Sequence, residues 1–243
     1  MDALILASGI GKRLGNLGKD KPKCLLNVFK NIKILDLILN NLKNIKNIYI
    51  VVGFKKNLIK KHLQKNMNNI HFIENKFYKN KGNFFSVLLA RNLIKDDLIL
   101  LDGDIILPKN ELKRFVMKRK RNLVMTNPLN NYNQDDITLK VNSKKKITDI
   151  FVKKKHKKRK NFYAASSVIK MSKKAKNTFF SELNNIHRKK RENDNSCYED
   201  TYSNLFKKHS FKISVLKKER FEIDTHADYK KAIKVVKKNN FYV

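Results

Sequence analysis

Ala3-Leu4-Ile5-Leu6-Ala7-Ser8-Gly9-Ile10-Gly11-Lys12-Arg13-Leu14, with Lys21-Pro22-Lys23 close behind, decides how this chain reads. A short apolar run ends in a glycine turn that carries two adjacent cations. Two further cations flank a proline. This is the pattern of a buried strand delivering a flexible, positively charged loop, a construction suited to a polyphosphate. Two better-known phosphate loops do not fit. A dinucleotide fingerprint needs a third glycine where Leu14 stands, and the string G-x-x-x-x-G-K-[ST] does not occur. The bland alternative is an ordinary strand, turn and helix in a lysine-rich chain.

Outward from this stretch, strand and helix patterns alternate. Buried strands are expected at 3–7, 48–52, 70–74 and 98–101, and helices at 33–43, around Leu58–Leu63, and at 83–94. Four such alternations argue for a parallel sheet with helices on both faces. Beyond Pro108 the pattern gives a helix at 109–120 and a strand at 123–126. Short β segments follow at 137–141 and 146–152, then a strand at 163–169. Helices at 172–187 and 198–208, a strand at 211–216 and a last helix from 226 complete the chain. The expected fold is α/β: one Rossmann-like three-layer domain with a mixed, mainly parallel sheet and a small β-rich lid. The core is assigned to about 1–125 and 211–243, and the inserted lobe to about 126–210.

The 243 residues, 41% hydrophobic, allow one large domain with a sizeable core. The absence of an apolar run of about 20 residues excludes a membrane span. The start shows no secretory pattern, and Cys24 and Cys197 lack metal-ligand spacing. A cytoplasmic setting with reduced thiols is the simplest expectation, although one disulfide remains open. The net charge of +35 invites a nucleic-acid reading. Lysine and asparagine are abundant throughout, however, which indicates a compositional bias more than a designed face. The densest run, Lys153 to Lys160, reads as a solvated loop or hairpin tip between β segments. No specific nucleic-acid partner is expected.

In open α/β sheets the ligand sits beyond the carboxyl ends of the strands. The first strand ends in the cationic loop and the fourth in Asp102-Gly103-Asp104, so both motifs fall on one edge. Carboxylates facing a phosphate loop need a cation, and magnesium is the usual one. A turn after a strand would also explain Asp-Gly-Asp. Two more acidic segments lie downstream. In Phe221-Glu222-Ile223-Asp224-Thr225, alternation puts Glu222 and Asp224 on one face, while Asp224 or Thr225 could cap the following helix. Tyr198-Glu199-Asp200 sits where a helix starts, a place that favours acids anyway.

The order L-A-S-G-I-G-K-R-L, K-P-K, D-G-D-I and E-I-D-T resembles the nucleotidyltransferases of the sugar-1-phosphate type. Asn75-Lys76-Phe77-Tyr78 and Asn83-Phe84-Phe85-Ser86-Val87-Leu88-Leu89-Ala90-Arg91 resemble a segment of their CTP-using branch. That branch holds phosphocholine and 2-aminoethylphosphonate cytidylyltransferases, with inositol-1-phosphate cytidylyltransferases nearby. The resemblance runs over about residues 2–235. Ser8 replaces a usual alanine or glycine, the basic run has no counterpart, and the segment 125–210 matches loosely.

The resemblance implies transfer of CMP from CTP to a small phosphorylated acceptor, with release of pyrophosphate and dependence on Mg2+. It implies catalytic roles for Lys12 and Arg13 on the leaving β- and γ-phosphates and for Lys23 at the α-phosphate. Leu6, Ala7, Ser8, Gly9 and Gly11, with Asn83 and Ser86, would hold the nucleotide, and Asp102 would support it. Asp104 and Asp224 would hold the metal. Tyr78, Tyr198, Glu199, Asp200 and Glu222 would meet the acceptor. Carboxylates beside aromatics favour a cationic headgroup, as in phosphocholine, phosphoethanolamine or 2-aminoethylphosphonate. A sugar or inositol phosphate is the alternative, and a basic nucleic-acid binder on the same fold the alternative from another class. A homodimer is compatible with this reading.

Overall fold

A computed structural model describes all residues except 65–67, 129–136, 152–159, 190–194, 239–241 and 243. The apolar opening run is β1 (Asp2–Ala7), followed after the loop by the one-turn helix α1 (Asn16–Lys19). A small ribbon, β2 (Asn27–Phe29) and β3 (Ile32–Lys33), leads into α2 (Ile34–Asn41). Then come β4 (Asn47–Val52), α3 (Lys56–Leu63), β5 (Ile70–Glu74), α4 (Asn83–Leu88) and β6 (Leu98–Asp102). The second half holds β7 (Ile105–Ile106), α5 (Glu111–Met117), β8 (Leu123–Pro128), β9 (Thr138–Val141), β10 (Ile147–Phe151) and β11 (Phe162–Met171). It ends with α6 (Lys173–Lys189), α7 (Tyr202–Lys208), β12 (Lys212–Val215), β13 (Phe221–Glu222) and α8 (His226–Lys238).

The main sheet runs in the order β10-β9-β11-β6-β1-β4-β5, with β8 on β11 and β12 on β8. β1 lies between β4 and β6 and is parallel to both, and β5 extends the parallel set beyond β4. β11 is antiparallel to β6, which makes the whole sheet mixed. Alternation along β1 explains the three layers. Ala3, Ile5 and Ala7 join one core with α2, α5 and α8, while Leu4 joins the opposite core with α4, α6 and α7. Leu4 and Ile5 are both 0% exposed, a burial that contributes roughly 1.5–3 kcal/mol each.

Three expectations changed. The helix expected over 83–94 is regular only to Leu88; beyond it, bonds such as Arg91 N to Leu88 O and Leu93 N to Ala90 O tighten the chain into turns. The helix expected over 198–208 starts as a 3-10 turn, Tyr198–Thr201. The segments flanking the basic run do not pair as a hairpin, because β9 lies between β10 and β11 and is antiparallel to both. Residues 153–159 of that run lie outside the described residues. The strands β9 and β10 continue the main sheet past β11. Cys24 and Cys197 are both free thiols. Among the described residues, no helix is long and apolar enough to cross a membrane.

Candidate active site

The site starts where β1 and β6 end. Their register sets Leu6 opposite Asp102, and Gly103 N donates to Leu6 O at 2.8 Å. A Cβ on Gly103 would itself lie 2.8 Å from that oxygen, so only glycine lets the two strand ends close. The loop after β1 then turns at Gly11, whose φ of 70° is left-handed. A Cβ on Gly11 would stand 3.0 Å from Lys23 Cγ. The glycine therefore makes the turn and leaves the lane along which Lys23 reaches inward.

A second pairing brings the C-terminal acids to the same place. β13 runs antiparallel to β7 with Glu222 opposite Ile105, and Ile223 N donates to Asp104 O at 3.0 Å. Thr225, not Asp224, caps α8: its Oγ1 accepts from Asp228 N at 3.2 Å. Asp224 is thereby released to the site. Lys23 Nζ donates to Asp104 Oδ2 at 2.9 Å and to Asp224 Oδ1 at 2.8 Å. Arg13 Nη2 pairs with the same Asp224 oxygen at 2.9 Å.

These residues line a cleft of about 320 Å³ together with Leu6, Ala7, Ser8, Gly9, Gly11, Tyr78, Asn83, Ser86, Asp102 and Glu222. Fourteen of the eighteen residues singled out from the sequence thus share one cavity; Lys12, Tyr198, Glu199 and Asp200 are not on its wall. Lys12 points outward because the 3-10 turn Lys12–Leu14 buries Leu14 instead. Tyr198 is 0% exposed and packs edge-on against Phe179 and Tyr202, so it is core rather than a face for a ligand. Asp200 is exposed and accepts from Cys197 N at 2.9 Å, which caps the 3-10 turn. Glu199 stands close enough to Asp102 and Glu222 for their charges to interact.

The structure adds Asn75, Cys24, Gly103 and Lys81 to the wall. Asn75 is the informative one. It is 1% exposed and donates to Ser86 Oγ at 2.9 Å, which in turn bonds Ser8 Oγ at 2.9 Å. This buried chain ties the β1 loop to α4. Its sequence signal was the segment Asn75-Lys76-Phe77-Tyr78, which carries part of the resemblance though no role was drawn from it for Asn75. Lys81, held with its ammonium 4.8 Å from the Phe85 ring centre, had no signal in a chain so rich in lysine.

The electrostatics follow from this crowding. Burial pushes the Asp102 carboxyl well above its ordinary value, and the charges of Asp104, Glu199 and Glu222 push it further. Burial likewise raises Asp104, against the opposing pull of Lys23. Burial lowers Lys23, but the two carboxylates beside it outweigh that and hold the ammonium above its usual range. Burial would raise Asp224, yet Lys23 and then Arg13 keep it below.

One ligand atom each from Asp102, Asp104 and Glu222 lie within 4.8 Å of one another. Three carboxylate oxygens at this spacing are a donor set suited to a hard divalent cation. The sequence reading set the metal between Asp104 and Asp224. In the structure the Lys23 ammonium stands between those two, and Asp104 is grouped with Asp102 and Glu222.

A family model described as nucleotidyl transferase matches residues 2–125. The bifunctional protein GlmU of Methanococcus aeolicus is 36% identical over 132 residues, 54% of this chain and 31% of that protein. The CTP:phosphoglutamine cytidylyltransferase of Campylobacter jejuni is 33% identical over 114 residues, 44% of either protein. The chain thus spans less than half the length of these curated relatives. In fold it is similar to the CTP:phosphocholine cytidylyltransferase of Streptococcus pneumoniae, with a TM-score of 0.80, 22% identity, and coverage of 97% of this chain and 98% of that one. The inositol-1-phosphate CTP transferase of T. maritima gives a TM-score of 0.73 at 20% identity over 98% and 96%. With its β1 loop, Asp102-Gly103-Asp104 and the parallel strands β1, β4, β5 and β6 inside the matched residues, the chain belongs to the nucleotidyl transferase family.

Proposed function

We propose that this chain transfers CMP from CTP to a small phosphorylated or phosphonate acceptor and releases pyrophosphate. The observation that carries this reading is Lys23, held 2.9 and 2.8 Å from Asp104 and Asp224 at the mouth of β1. A cation fixed among carboxylates beside a glycine loop suits charge that builds on phosphorus more than it suits simple binding. In the reaction an acceptor oxygen forms a bond to the α-phosphorus. The bond from that phosphorus to the bridging oxygen breaks, and its electron pair leaves with pyrophosphate.

The roles follow from placement. Backbone of Leu6 to Gly9, with Asn83 and the Ser8–Ser86–Asn75 chain, would seat the nucleoside. Arg13, 65% exposed at the rim, would swing to the departing phosphates, with Lys12 behind it. Lys23 would attend the α-phosphate and the acceptor oxygen, its Asp104 and Asp224 partners fixing it there. Asp102, Asp104 and Glu222 would hold Mg2+, which supplies neutralisation of phosphate charge and polarisation of phosphorus.

For the acceptor we retain a cationic headgroup. Its support is now the surplus of carboxylate at the β6–β13 side of the cleft, with Tyr78 on the wall, and no longer Tyr198 or Asp200. A second reading, a sugar phosphate, draws on the similarity to GlmU. The test crosses the four common NTPs and dTTP with phosphocholine, phosphoethanolamine, 2-aminoethylphosphonate, inositol-1-phosphate and hexose-1-phosphates, with pyrophosphate release as the readout. Release with CTP and an amino-headgroup acceptor, abolished by EDTA, is expected. Release with UTP or dTTP and a hexose-1-phosphate alone would select the second reading.

A further inference from the structure

Glu222 sits on a strand of two residues, yet its carboxylate is held firmly from behind. One oxygen, Oε2, accepts from Arg220 Nη1 at 2.6 Å and from Ser167 Oγ at 3.1 Å, and the Ser167 hydroxyl also lies within hydrogen-bonding reach of Asp102, so it bridges two carboxylates of the group. Arg220 is buried to 6% side-chain exposure, and its Nη2 reaches Ala165 O at 3.3 Å. The guanidinium fork thus joins β13 to β11 while it grips the acid two residues on. Residues 220 and 222 share a face by alternation, which makes the grip possible. Ser167 comes from the stretch of β11 where the register with β8 shifts, between Ala165 and Ile169. Such an irregularity turns a side chain away from its regular direction.

We propose that Arg220 and Ser167 are positioning residues for Glu222, anchoring it by Oε2 so that its carboxylate joins Asp102 and Asp104 around a divalent cation. The proposal rests on the cation reading given above. A ligand carboxylate free to rotate must be ordered each time a cation binds; one already fixed by two donors is ordered in advance. Groups behind a metal ligand typically change metal affinity 10–100-fold. If the contact served packing alone, its loss would lower thermal stability and leave cation affinity unchanged.

The experiment titrates Mn2+ alone into the full chain by calorimetry, with melting temperature measured on the same samples. Ser167→Ala and Arg220→Lys are expected to weaken Mn2+ binding about tenfold or more. Lysine keeps the charge but cannot span Glu222 and the Ala165 carbonyl together. Ser167→Thr keeps the hydroxyl and is expected to bind within about twofold of wild type. Should Arg220→Lys not fold, the Ser167 pair carries the comparison. Wild-type Mn2+ affinity in Ser167→Ala and in folded Arg220→Lys overturns the proposal and leaves the cation site standing. A wild-type chain that binds no Mn2+ overturns both.

Discussion

The two sides of the cleft are built in opposite ways. On one side, β1 and β6 are adjacent parallel strands, and their register alone sets the glycine–cation loop beside Asp102-Gly103-Asp104. On the other, Glu222 arrives on a two-residue strand with Asp224 just beyond it, and Glu199 on a 3-10 turn. Strand ends of a parallel sheet place functional residues by rule. Short irregular segments place them by tertiary contact: Ile223 N on Asp104 O, Arg220 on Glu222, and Asn83 Oδ1 accepting from Tyr198 N at 3.0 Å. On the proposed reading, the first side would fix where the α-phosphorus meets its cations, and the second would be free to vary with the acceptor.

The contrast can be broken most sharply at Asp104, where the two sides meet. Asp104→Ala and Lys23→Ala are each expected to cut pyrophosphate release about 1000-fold. Circular dichroism should stay that of a folded chain. Near wild-type turnover in both variants would remove the first side from the chemistry. Next in size is Gly103→Ala. Its Cβ would meet Leu6 O at 2.8 Å and force the strand ends apart. A cost of about 2 kcal/mol, or a fall of about 5 °C in melting temperature, is expected, with activity falling too. Unchanged melting would show that the closure of β1 on β6 is loose.

On the second side the expected effects are smaller. Burial, with the charge of Glu222 adding to it, raises Glu199 from 4.5 to about 7. Between those values the folded chain holds a proton that the unfolded chain has released, so stability falls as pH rises through this window and is flat above it. Glu199→Gln removes the penalty. It should match wild type in melting near pH 4.5 and exceed it by about 7 °C at pH 8. An equal difference at both pH values would mean that Glu199 titrates normally. The smallest effects are expected at Tyr198 and Asp200. Tyr198→Phe should leave the acceptor KM within about twofold of wild type, because the ring packs in the core. Asp200→Ala should cost about 1 kcal/mol of stability through its lost cap, with turnover intact. A tenfold rise in KM for Tyr198→Phe would return that residue to the acceptor.

These differences also explain what could be read from the sequence. The short apolar runs that give β1, β4 and β6 report burial directly, so the strand ends that line one side of the cleft were legible in the sequence. Asp104 and Asp224 were singled out as acids at predicted strand ends, whereas Asn83 and Ser86 came from the resemblance carried by residues 83–91. Tyr198 and Asp200 misled because an acid next to an aromatic reads alike whether it faces a ligand or caps a turn over a core. The grouping of Asp104 with Asp102 and Glu222, with Lys23 standing between Asp104 and Asp224, was not legible either. It depends on the side-chain reach of Lys23 and on the antiparallel register of β7 and β13, a pairing of two residues on each strand. The positions of Arg220 and Ser167 have the same origin: contacts 55 residues apart in the chain between Ala165 O and Arg220, and between Ser167 and Glu222, leave no periodic trace.

The claim that the cleft performs attack on the α-phosphorus is tested most directly by following two labels. Wild-type chain is incubated with Mg2+, the acceptor that gives most pyrophosphate release, and CTP carrying 32P in either the α or the γ position. The account predicts α-label in the acceptor product and γ-label in pyrophosphate. Label from the γ position in the acceptor product, or release of γ-label as free phosphate with no α-labelled product, would contradict it.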